Sequence, residues 1–199
     1  MHRYPHSIIF VRCAHNLSHL LTRIDHWDYN LAMKVIYPGS FDPPTNGHFD
    51  IMNRAAAIFE QLEIVIADNP QKKYLFNADE RFEMITTMVA EYPNVQVTIW
   101  RGLIVDFAEK IGAKVILRGV RALSDFDYEF ELSMMNRALN PNIETLFMPT
   151  DQKYFVLRSS GIKEVAIFGG DISEMVPPIV EEKLLARVRQ RNKQSGSQA

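Results

Sequence analysis

Apolar, β-rich runs alternate with stretches of helical periodicity from residue 34 to residue 190, which predicts an α/β fold with a doubly wound, five-stranded parallel sheet. A junction dense in Gly and Pro joins the first run to the first helical pattern, as a strand running straight into a helix requires. No internal repeat or linker interrupts the alternation, so one domain accounts for it.

The strands are expected at residues 34–37, 62–67, 95–100, 115–118 and 144–148. Helices fall between them at 47–59, 78–91, 104–111 and 125–139, with Asn77 as the cap of the second. Gly112 and the pair Asn140–Pro141 punctuate two helix ends. Two more helices, at 159–168 and 178–190, complete the pattern. The small polar residues from Asn192 onward are expected to fray.

With 199 residues, 47% of them hydrophobic, the chain can bury a full core. A formal charge of −2 gives no bulk excess of base, so neither nucleic acid nor an acidic surface is indicated as a partner. No apolar run approaches the roughly 20 residues that cross a bilayer, which predicts a soluble protein. The single cysteine, Cys13, allows no internal disulfide and fits a reducing compartment.

Residues 1–32 differ from the rest, holding five of the six histidines and that cysteine. Three readings of them stay open: an upstream in-frame translation, a targeting peptide, or a true extension. The first is favoured, which puts the working start at Met33, the domain at 33–191 and a flexible tail at 192–199. His2/His6 and His15/His19 have the spacing of metal pairs, but no carboxylate or cysteine set completes a coordination sphere, and no metal ligands are assigned.

The junction reads Tyr37-Pro38-Gly39-Ser40-Phe41-Asp42-Pro43-Pro44-Thr45-Asn46-Gly47-His48. Its glycines permit close backbone approach, its prolines stiffen the loop, and the free N–H groups of the new helix favour an anion. His48, in the first helical turn, is expected to aim its ring at the same place. The plainer reading is an ordinary strand-to-helix turn with a polar surface histidine. There is no Gly-Lys-Ser/Thr of a Walker loop and no Gly-x-Gly-x-x-Gly.

Ligands of doubly wound sheets sit beyond the carboxyl ends of the strands, and three further loops end there. Residues 69–73 carry Lys72 and Lys73, either a solvated basic loop or an anion contact. Arg118, Gly119, Val120 and Arg121 run from a buried strand into a loop whose two guanidinium forks suit a polyphosphate. Asp125, Asp127 and Glu129 follow; the helix dipole alone explains most of them, with a nucleotide contact open to Glu129. Tyr154, Phe155, Val156, Leu157 and Arg158 precede Ser159 and Ser160, whose hydroxyls read as helix caps or as phosphate donors.

Taken together, the 37–48 segment, Lys72-Lys73, Arg-Gly-Val-Arg at 118–121, Asp-Phe-Asp-Tyr-Glu at 125–129, Met-Asn-Arg at 135–137 and Ser-Ser-x-x-Lys-Glu at 159–164 resemble the bacterial phosphopantetheine adenylyltransferase family of the nucleotidylyltransferase superfamily. The likeness runs in order and spacing over residues 33–189. It implies a Rossmann-like nucleotidyltransferase fold and the reaction of ATP with 4'-phosphopantetheine to give dephospho-coenzyme A and pyrophosphate, with Mg2+. By position, Ser40, Lys72, Ile104 and Arg118 would bind phosphopantetheine. Ser40, Phe41, His48, Gly119, Val120, Arg121, Glu129 and the run Tyr154, Phe155, Val156, Leu157, Arg158, Ser159, Ser160 would bind ATP.

The catalytic assignments that follow are His48 on the transferring phosphate, Lys72 on the attacking phosphate, and Arg121 with Ser159 and Ser160 on the leaving pyrophosphate. The resemblance further implies a cytoplasmic homohexamer with coenzyme A as a feedback ligand. Two positions depart from it: Ser40, where Thr is frequent, and Arg158, where some members carry a third Ser. A sister transferase with another acceptor, and a non-catalytic nucleotide-binding module, are the competing readings.

Overall fold

The computed structural model describes residues 31–196. Cys13 and the four spaced histidines of the N-terminal segment lie outside them. In chain order the elements are β1 (Leu31–Gly39), α1 (Asn46–Ile58), β2 (Phe59–Ala67), α2 (Ala78–Met88), β3 (Val95–Trp100), α3 (Ile104–Lys110), β4 (Val115–Val120), α4 (Leu123–Leu139) and β5 (Glu144–Pro149). A 3-10 turn (Gln152–Tyr154) leads to α5 (Ser159–Ile167) and α6 (Pro178–Gly196).

All five strands are parallel in the order β3-β2-β1-β4-β5. The chain builds outward from the centre to one edge, then returns beside β1 and builds to the other. The direction reverses between β1 and β4, and there the loops part to leave a crevice. Alternate residues of the central strands feed opposite faces, as a period of two requires. Val35, Tyr37, Ile64, Ile66, Val115 and Leu117 pack with Ile51, Met52 and Ala55 of α1 and Ile85 of α2. Ile36, Val65 and Ile116 face the other way, onto Val105, Phe107 and Ala108 of α3. A third cluster joins α2, α5 and α6 through Met84, Ile162, Ala166, Val180 and Leu184.

The expected elements are all present, with shifted ends. Phe59 was expected to close the first helix but opens β2 directly, with no loop between. The side-chain amide of Asn94 donates to Ala56 O and Phe59 O at 2.8 and 2.9 Å, so carbonyls at the helix end are satisfied without a terminal glycine. Residues 118–120, expected partly as loop, belong to β4, because Arg118, Gly119 and Val120 pair with Phe147, Met148 and Pro149. The last helix runs to Gly196 rather than ending at 190. Asn77 caps α2 as expected, in a reciprocal capping box with Glu80.

Candidate active site

The β1–α1 loop is shaped by its own aromatic ring. Phe41 takes a positive φ of 48°, rare for a residue with a side chain, and its ring is buried edge-on to both Tyr37 and His48. Gly39 is required for this: a Cβ there would stand 2.7 Å from the tip of the Phe41 ring. The Asp42–Pro43 peptide is cis.

Thr45 caps α1, its Oγ1 accepting from His48 N at 3.2 Å. In return His48 Nδ1 accepts from the Thr45 backbone N–H at 3.0 Å. An imidazole nitrogen that accepts carries no proton, so the neutral ring holds its hydrogen on Nε2. Burial, then the charges of Arg121 and Arg118, push the His48 pKa down to about 4. The ring is therefore a neutral donor at physiological pH, with Nε2–H as its one donating group.

The β2–α2 loop is held at both ends. Tyr74 Oη donates to Ala67 O at 3.3 Å and accepts from Asn69 N at 3.0 Å. Asp42 accepts the backbone N–H groups of Leu75 and Phe76 and the Lys163 ammonium at 2.8 Å. Arg81, fully buried, stacks on Tyr74 and donates to Phe76 O, Asn77 O, Ser40 O and Asp68. Lys72 and Lys73 ride on this braced loop; among the described residues neither has a carboxylate partner.

From β4, Arg118 forks onto Glu129 of α4 at 2.6 and 2.7 Å and donates to Pro38 O at 2.9 Å. That bidentate pair aligns the guanidinium across the top of β1. Arg121 is held by Asp125 at 2.9 Å and by Leu157 O at 2.6 Å. Gly119 has an internal reason as well as the expected one, since a Cβ there would stand 3.2 Å from Tyr37 Oη and 3.3 Å from Ile51. Ser159 does not cap α5 with its hydroxyl, contrary to one of the sequence readings. The N-cap is Arg158, without a side-chain cap bond, and Ser159 Oγ donates to Pro43 O at 2.9 Å.

These groups meet in one cavity of about 470 Å³ over the carboxyl ends of β1 and β4. Ser40, Phe41, His48, Lys72, Arg118, Gly119, Arg121, Glu129, Leu157 and Ser159 line it. Five cations, including Lys73 and Lys163, stand against two carboxylates, Asp42 and Glu129, so the cavity attracts anions. Other candidates lie off its wall. Ile104 begins α3 and packs on the core, and Val120 continues the strand beside Pro149. Tyr154 packs against the α2, α5 and α6 cluster, while Ser160 lines a neighbouring groove. Phe155, Val156 and Arg158 are exposed.

Sequence reasoning assigned no role to Asp42, Thr45, Tyr74, Arg81 or Thr150. Asp42 and Thr45 were visible inside the loop motif, and polar residues on either side of a Pro-Pro pair could have drawn attention to them. Nothing local marks Arg81 or Thr150.

Residues 36–165 match the Cytidylyltransferase-like family model. The chain is 51% identical over 157 residues to the phosphopantetheine adenylyltransferase of Desulfosudis oleivorans, covering 78% of this chain and 94% of that protein. It is 52% identical over 146 residues to the protein of that name in Heliobacterium modesticaldum, covering 73% and 87%. A crystal structure of a nicotinate-nucleotide adenylyltransferase candidate from Vibrio parahaemolyticus superposes with a TM-score of 0.61 at 18% identity, over 79% of this chain and 95% of that one, and supports the fold alone. A cytidylyltransferase-like match over most of the domain and half-identity across nearly the full length of these relatives place this chain in the phosphopantetheine adenylyltransferase family, a family of nucleotidyltransferases.

Proposed function

We propose that this protein transfers the adenylyl group of ATP to 4'-phosphopantetheine, giving dephospho-coenzyme A and pyrophosphate. The observation that carries the reading is the neutral, Nε2-protonated His48 at the wall of a cavity rich in cations. A phosphate oxygen of phosphopantetheine attacks the α-phosphorus of ATP; that P–O bond forms as the bond to the bridging oxygen breaks and pyrophosphate leaves. No protein nucleophile is needed, so catalysis rests on alignment and on stabilising charge.

His48 Nε2–H donates to a non-bridging oxygen of the transferring phosphate and gives up no proton. Lys72, without a carboxylate partner, orients the attacking phosphate, and Arg121 with the start of α5 holds the leaving group. Arg118, already aligned by Glu129, and Ser40 bind the acceptor. Among the described residues no group of three or more His, Cys, Asp or Glu is arranged to hold a metal. The two cavity carboxylates are each engaged by a cation, Asp42 by Lys163 and Glu129 by Arg118. In this reading Mg2+ arrives as part of the ATP substrate, on its phosphates, and no step is assigned to it. Cytoplasmic placement, a hexamer and coenzyme A as feedback ligand belong to the same proposal.

Incubation with Mg·ATP and 4'-phosphopantetheine, followed by mass spectrometry, should yield dephospho-coenzyme A. The variant His48→Ala should lower turnover by roughly 10²- to 10³-fold, as loss of one transition-state donor does. Pyrophosphate release only with a different acceptor would reject the substrate assignment. Unchanged turnover in His48→Ala would reject the role of the ring.

A further inference from the structure

Asp42 accepts four hydrogen bonds at the edge of the cavity. Its carboxylate is 7% exposed and bonds to two segments besides its own. Oδ1 accepts from Leu75 N at 3.1 Å and Phe76 N at 2.9 Å; Oδ2 accepts from Leu75 N at 3.0 Å and from Lys163 Nζ at 2.8 Å. The β1–α1 loop, the β2–α2 loop and α5 are thus tied at one point.

The β2–α2 loop needs such a tie. Its near end is closed by Tyr74 reaching back to Ala67 and Asn69. Its far end, at Leu75 and Phe76, is fixed by Asp42, with Arg81 and Arg187 gripping the carbonyls of Phe76 and Leu75. Between those anchors the side chains of Lys72 and Lys73 are exposed and make no ion pair among the described residues. Where the Lys72 backbone stands over the cavity is therefore set by these anchors, one of which is a carboxylate on a different loop.

We propose that Asp42 is a positioning residue for the transfer reaction, acting through the placement of Lys72 over the cavity. This rests on the function proposed above and extends it to a side chain that touches neither the attacking nor the leaving group. Asparagine is the informative replacement. With Oδ1 toward the loop it can still accept from Leu75 and Phe76 N–H, but its NH2 then faces the Lys163 ammonium; turned the other way the NH2 faces the backbone N–H groups, donor against donor in either case. The shape is kept, while the carboxylate charge that joins Lys163 to the loop is lost.

The test is a double-mutant cycle in kcat/KM for 4'-phosphopantetheine at saturating Mg·ATP, with Asp42→Asn, Lys72→Ala and the double variant. Displacing a positioned group by about 1 Å costs up to about 10²-fold, so Asp42→Asn should lose roughly 10- to 10²-fold with Lys72 present. With Lys72 already absent, the same change should cost less than about threefold, because coupled residues are not additive. Equal losses in both backgrounds would show a general structural role and overturn the proposal. Backbone hydrogen exchange on the unliganded protein gives a readout that needs no turnover: Asp42→Asn should speed exchange across residues 69–76 by roughly tenfold or more, as loss of a local anchor does. Unchanged exchange there would overturn the proposal whatever the reaction. A wild-type protein that makes no dephospho-coenzyme A would reject the function, while the exchange measurement still decides whether Asp42 holds the loop. Should Asp42→Asn not fold, Asp42→Glu, which retains charge but cannot keep the same reach, takes its place in both arms.

Discussion

His48 shows how a single residue becomes a fixed donor. Its place at the third position of α1 makes Nδ1 the acceptor of a capping box, and its burial beside Arg118 and Arg121 keeps the ring uncharged. The same environment has a consequence for stability. An unfolded histidine takes up a proton near pH 6.5, whereas the folded ring resists until about 4. Between those values the unfolded state binds the extra proton, so stability from this residue is complete above pH 6.5 and falls as pH drops. The total is on the order of 3 kcal/mol. Urea midpoints of the wild type should therefore decline more steeply from pH 7 to pH 4 than those of His48→Asn. Parallel curves for the two proteins would contradict the buried, neutral ring.

At the scale of elements, the strands and helices were legible because each carries its own period, and the β1–α1 loop because its glycines and prolines are local. Element ends were less so. The end of α1 depends on Asn94, which arrives from the segment before β3, and the length of β4 depends on pairing with β5. Lys72, Lys73, Arg118 and Arg121 could be read from sequence, since they stand at or just past strand ends, whereas Lys163 lies within α5. Their supports could not, because Asp42 and Arg81 acquire meaning only when segments more than 30 residues away close around them. Gly39 belongs to this scale too. Gly39→Ala would press a methyl into the buried Phe41 ring, which rests on His48, so we expect a loss of about 1–3 kcal/mol by overpacking together with reduced turnover. Gly161→Ala is the contrast: it sits in α5 with nothing within 4 Å of a new Cβ, and removing a helical glycine should stabilise by about 0.5–1 kcal/mol. Thermal melts of both variants decide the matter; a neutral Gly39→Ala would mean the Phe41 ring has room to yield.

For the whole molecule, the unresolved balance lies on α4. Phe126 packs edge-on to Phe147 of β5, so one side of the helix covers the sheet. Away from that packing Leu123, Tyr128, Phe130, Met134, Met135 and Leu139 are each about half exposed or more. Tyr128, Met135 and Leu139 are spaced seven and four apart, as are Leu123, Phe130 and Met134, so two stripes of α4 are apolar and open, with Asp127 and Glu131 between them. Beside them β5 is the edge of the sheet and exposes Leu146. Exposed apolar stripes of this kind on a folded protein mark a candidate contact with another chain. Taken with the hexamer proposed above, they lead us to expect that copies of this chain meet across α4. Light scattering after size-exclusion chromatography should then give a mass of several chains for the wild type. Met134→Glu combined with Met135→Glu, which places two charges in that contact, should shift the mass toward the single chain while the circular dichroism stays unchanged. A wild type that runs as a monomer at micromolar concentration, or a double variant that keeps the wild-type mass, would place the subunit contact elsewhere.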